Sequence, residues 1–193
     1  MIFNPLPDLL EQFLANAYMA FPLVGPFLGT LGAFYFQGWR SRQTESRTEY
    51  TSAEYAFFVL QSHHNILVHV WENQLEAHSK AEDRHLSLKN LHFESEVMPI
   101  DFPSLRFILN SHMPEVMAIL FEADHSFVGF IHTLKRRNDE YFRLREETAQ
   151  KKNPQALIEV TESLYKAHES AVHANQKALK ALEFFLKSGF NDV

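Results

Sequence analysis

Cysteine is absent from the 193 residues, which excludes disulfides, thiolate zinc sites, iron–sulfur clusters and cysteine nucleophiles. Glycine is scarce. Of the 6 present, Gly25, Gly29, Gly32 and Gly38 lie in or beside one apolar stretch, so little is left for phosphate-cradling loops or tight β-turns. No Asn-x-Ser/Thr acceptor occurs, and with the missing cysteines this fits a domain facing the cytoplasm. Excess positive charge is missing too: the net charge of −6 removes the broad attraction to phosphate backbones, and nucleic acid is not an expected partner. Neither a Gly-x-Ser-x-Gly elbow nor a His-Glu-x-x-His pair is found, so the familiar hydrolase and zinc-protease signatures are lacking.

What is present is an apolar fraction of 46%, enough for one real core in a chain of this length. Residues 12–39 carry no charge, and residues 13–36 read FLANAYMAFPLVGPFLGTLGAFYF, long enough to cross a hydrocarbon layer about 30 Å thick. The competing reading is a buried helix or hairpin, since Asn16, Pro22 and Pro26 interrupt the run. Spans tolerate proline and glycine, however, and the length favours a transmembrane helix. The residues before it carry Asp8 and Glu11 but no basic group, unlike a cleavable signal peptide. Arg40, Arg42 and Arg47 follow directly. The positive-inside rule then leaves residues 1–12 outside and residues 40–193 in the cytoplasm, a single-pass protein of the inner membrane, with Tyr35 and Trp39 at the headgroup level. Gly25, Gly29 and Ala33 recur every four residues and offer one small-residue face for self-association, or simply ease a kink between the prolines.

The remainder reads as all-α. Residues 41–91 have no internal proline or glycine, and Ala53, Phe57, Leu60, Leu67, Trp71 and Leu75 follow a three–four spacing, with His64 on the same stripe. Pro99 and Pro103 then break the chain, and a short helix over 104–110 follows. The next long helix, 113–148, starts from Ser111 with Pro114 in its first turn and continues through Val116, Leu120, Phe127, Ile131 and Leu134. Asn153 and Pro154 open a last helix over 154–188, whose seam of Leu157, Val160, Leu164, Ala167, Ala171, Ala174, Ala178, Leu182 and Phe185 is alanine-rich, so a neighbour must come close. The short link between the last two helices makes them antiparallel, and the first long helix completes an antiparallel, coiled-coil-like three-helix bundle.

Two Glu-x-x-His spacings, Glu82–His85 and Glu122–His125, have the form of the pairs that hold metal ions in four-helix carboxylate bundles. About one such spacing arises by chance in a chain this rich in Glu and His, and three core helices are one too few. His64, His78, His85 and His92 lie at multiples of seven, too far apart to share an ion, and read either as seam and rim residues or as groups that weaken packing when acidified. The expected function is therefore a membrane-anchored interaction or scaffold module without catalytic activity or cofactor. Its partners would be the bilayer and its own copies or another membrane-associated protein. The alternatives are a metal-dependent bundle enzyme and an effector that perturbs the bilayer through its kinked span.

Overall fold

A computed structural model describes residues 6–88, 91, 97–146 and 153–189, with side-chain surroundings from residue 32 onward. The chain divides into two compact units, residues 1–48 and 49–193. Every regular element among the described residues is helical, and the elements form a helical bundle.

The first unit consists of the leading part of helix α1, which spans Leu6–Val70. In its last turns the hydroxyls of Thr44 and Thr48 donate to the carbonyls of Arg40 and Thr44, each at 2.9 Å, so these β-branched polar residues bond back to the helix rather than compete with it. Among the described residues no helix is long and apolar enough to cross a membrane. Most of the expected span, residues 13–31, lies outside the residues whose side chains are described.

In the second unit, α1 does not continue to residue 91 as its composition suggested. It ends at Val70, widens into a π-helical turn at Trp71–Leu75, where Glu76 N–H reaches the Trp71 carbonyl, and tightens into a 3-10 turn at Glu76–His78. The cause is packing. Leu75, Leu88 and Leu91 all enter one hydrophobic cluster, yet in a straight helix residues 75 and 91 would stand about 24 Å apart at 1.5 Å per residue. The chain has to turn back, and it does so through Ser79, whose hydroxyl and amide both donate to the Glu76 carbonyl, into helix α2 (Arg84–Ser87).

Helix α3 (Glu115–Glu146) and helix α4 (Gln155–Gly189) follow a nine-residue 3-10 helix, Phe102–Asn110. Ser111 Oγ accepts from Met113 N–H ahead of α3, and Asn153 Oδ1 accepts from Gln155 N–H at 3.0 Å, capping α4 before Pro154 can enter it. The core is two clusters stacked along the bundle. The first joins Ala53–Leu60 of α1, Val116–Ala123 of α3 and Ala174–Phe185 of α4. The second joins Leu67 and Val70 of α1, Leu75 of the π turn, Phe127–Leu134 of α3 and Leu164–Ala171 of α4. Residue numbers rise together along α1 and α3 and fall along α4.

That order corrects the expected antiparallel bundle. α4 is antiparallel to both other helices, but α1 and α3 run the same way, so the chain between them must travel back along the bundle. The described residues of this strap are 79–88, 91 and 97–114: Leu88 and Leu91 sit in the second cluster, Ile100, Leu105 and Ile108 in the first. Two residues of α3 tie it down. The fully buried Arg137 donates through Nη2 to the carbonyls of His85 and Leu88 at the end of α2, while its guanidinium lies 4.9 Å over the Tyr141 ring. Asn138 pairs with the Leu91 backbone in both directions, donating to the carbonyl at 2.8 Å and accepting from the amide at 3.1 Å. Burial pushes the Arg137 pKa down to about 10, which still leaves a cation at neutral pH facing the negative end of a short helix.

Replacing Arg137 by Ala strands two carbonyls and opens a cavity, and should cost roughly 2–4 kcal/mol in urea unfolding with the m-value unchanged. A loss below about 1 kcal/mol would mean that the strap is held by its leucines alone.

Candidate functional site

Between the two clusters each long helix contributes a polar side chain: His63 from α1, Asp124 from α3 and Asn175 from α4. The His63 ring is 1% exposed and lies flat on Phe127, centroids 3.8 Å apart with planes 8° from parallel. Its Nε2 is 2.8 Å from the Met98 carbonyl of the strap. A carbonyl can only accept, so Nε2 carries the proton and Nδ1, buried and without a hydrogen-bond partner among the described residues, presents a lone pair. Asn175 is fully buried and neither of its amide atoms has a hydrogen-bond partner among the described residues. Desolvation raises the pKa of the half-buried Asp124 against the opposing pull of His63 and His125.

Beside this layer an open groove of about 1170 Å³ runs between the end of α1 and α4. Its floor is Trp71, stacked on His168 at 5.1 Å and meeting Tyr165 edge-on at 6.3 Å. The π turn sets this wall. By widening the helix it turns carbonyls outward, and α4 satisfies two nearby ones: His168 Nε2–H donates to Leu67 O at 2.9 Å, and the Tyr165 hydroxyl to Leu75 O at 3.0 Å. Arg84 closes one end, forked onto the Glu162 carboxylate with Nε 2.8 Å from Oε1, its guanidinium 4.7 Å over Tyr165. That fork holds the Glu162 carboxyl below the usual range. The Arg84 cation and the His168 N–H are thus engaged within the protein, and the groove offers a visitor an aromatic wall with His64, His173, Lys166, Glu72 and Glu169 around it.

The pairs singled out by spacing fare differently. Glu122 and His125 both face outward, because the inward positions of that part of α3 are Leu120, Ala123 and Phe127, and the Glu122 carboxylate accepts from Lys177 Nζ at 3.0 Å. Glu82 is exposed and His85 half-buried beyond the end of α1. Among the described residues no group of three or more His, Asp or Glu could hold a metal ion. Gly25 and Gly29 lie outside the residues with described surroundings, whereas Ala33, Tyr35, Trp39, Arg40, Arg42 and Arg47 are exposed. His92 is also outside the described residues, and His64 is half-buried in the groove. The seam residue is its neighbour His63, since the buried positions 53, 56, 60, 63, 67 and 70 keep the three–four spacing better than the stripe read through 57, 64 and 71.

Comparison with protein-family models, curated proteins and solved structures finds no match to the chain.

Burial lowers the pKa of both His63 and His168, each opposed by its hydrogen bond to a backbone carbonyl. The folded state therefore binds their protons less readily than the unfolded chain, and stability should fall as pH drops below the ordinary histidine value of about 6.5. Asp124, shifted upward, acts with the opposite sign in the carboxylate range. The His168 titration can be read optically: with Trp39→Phe leaving Trp71 as the one tryptophan, imidazolium formation should quench its emission with a midpoint below about 6.5, and His168→Gln should abolish the transition. A midpoint above that value would contradict the buried placement.

Proposed function

We propose that the chain is a membrane-tethered helical interaction module, anchored by residues 13–36 with its bundle on the cytoplasmic side. The observation that carries this reading is the aromatic set on α1: Phe34, Tyr35, Phe36 and Trp39 are 67%, 76%, 68% and 58% exposed, within six consecutive positions. In water so many large aromatic faces on one short stretch are unfavourable, whereas at a headgroup layer an amphipathic ring is at home. Arg40, Arg42 and Arg47 directly after them supply the positive charge that sets orientation. Gly25, Gly29 and Ala33, spaced every four residues, would let the spans of two copies meet closely, which makes a homo-oligomer the favoured assembly. No chemistry of its own is assigned to the bundle, since its forked Arg84–Glu162 pair and carbonyl-bound histidines act within the fold.

The full chain should co-float with lipid vesicles and resist extraction at high salt and high pH, and a reporter fused after Val193 should be active only in its cytoplasmic form. Changing Phe34, Tyr35, Phe36 and Trp39 together to Ser should release part of the protein from the vesicles. Wild-type protein left wholly in the soluble fraction would refute the tether, and a reporter active on the outer side would reverse the orientation.

A further inference from the structure

We propose that His63 is a proton-operated latch: on taking up a second proton it lets go of Met98, and the strap lifts from the first hydrophobic cluster. The strap is well suited to such release. Its extended run, residues 97–101, crosses from the second cluster to the first, and among the described residues the long helices reach this run through one polar contact, the His63 Nε2–H bond to the Met98 carbonyl at 2.8 Å. The other backbone bonds of the segment are local ones, Phe102 N–H to Ile100 O and Ser104 N–H to Asp101 O. The strap's own Ile100, Leu105 and Ile108 are buried against Leu60, Val116, Leu120 and Leu182 of the first cluster, so its departure exposes apolar surface on both sides.

The latch has nowhere to keep a second proton. Nδ1 is buried and has no hydrogen-bond partner among the described residues, and the ring is held face to face with Phe127, so it cannot pivot to water while the strap is closed. The charged group acting on it from α3 is Asp124, with His125 behind that carboxylate. α4 brings the uncharged Asn175 to the same level, the strap brings the Met98 carbonyl, and α1 itself has the neighbouring His64. Asp124 and the Met98 bond both favour the cation, but desolvation outweighs them and the balance stays on the neutral side. An imidazolium is therefore better hydrated than housed, and the opening that hydrates it is the strap's own movement.

Hydrogen exchange on the full chain in lipid nanodiscs, corrected for intrinsic rates, tests this directly. Between about pH 7.5 and about pH 5.5, peptides covering residues 97–110 should lose protection by about fivefold or more while those within α3 and α4 change little. His63→Gln keeps an N–H where Nε2 stands but cannot titrate, so its strap should be equally protected at both pH values. His168→Gln should keep the wild-type response of the strap. An unchanged wild-type strap, or the same loss in His63→Gln, would overturn the proposal. Should His63→Gln fail to fold, the NMR titration of the His63 ring in the wild-type chain must share its midpoint with the shift of the Met98 methyl; separate midpoints would overturn it equally.

Discussion

The His63 ring joins three elements at one point: it belongs to α1, lies on Phe127 of α3 and holds the Met98 carbonyl of the strap. This contact is possible only because α1 and α3 run in the same direction. Two parallel helices cannot be joined by a tight turn, so the connecting residues must cover the distance back, and the bundle gains a fourth layer made of strap. Much else follows. The π turn and the reversal after His78 start the return path, Arg137 and Asn138 hold its first half, and the 3-10 helix Phe102–Asn110 seals the first cluster.

Energetically the two clusters dominate. Each fully buried leucine or phenylalanine among them contributes about 1.5–3 kcal/mol by leaving water, and the clusters hold many such side chains. The polar layer between them works against this total. An amide such as Asn175, buried with neither atom bonded, costs about 1–3 kcal/mol relative to a well-packed apolar residue. Its effect is on register: sliding any helix by one turn would place a polar group from this layer among the leucines of either cluster. The layer also divides the core, so the strap over the first cluster can move without dismantling the second.

Legibility differed by element for physical reasons. The α4 seam was plain in the sequence because it is long, strictly periodic and capped by Asn153–Pro154, and its alanines match the close approach to α3, where Cα atoms lie within 8 Å. The end of α1 was not, since residues 71–91 contain no proline or glycine; the break comes from leucines that must share a cluster, which no local propensity records. The parallel pairing was hidden for a related reason: Pro99 and Pro103 mark an interruption, but not that it carries the chain back the length of the bundle. At the site, a seam defined by apolar residues alone does not include His63, His168, Asn175 and Arg137, although all four are buried. Carrying the three–four spacing through polar positions would have found 60, 63, 67 and 168, 171, 175, 178. The Glu-x-x-His pairs show the converse error, as spacing along a helix says nothing about which face looks inward.

The second unit is a helical bundle in which the strap carries the chain back between two parallel helices. Everything in that account depends on α1 and α3 being parallel. Methyl nuclear Overhauser contacts in the full chain measure this most directly. Parallel packing predicts contacts from Val59 and Leu60 to Val116 and Leu120, and from Leu67 and Val70 to Ile131 and Leu134, within the same two clusters. Contacts pairing Leu60 with Leu134 and Leu67 with Leu120 would show α1 and α3 antiparallel, and would contradict the strap and its latch together.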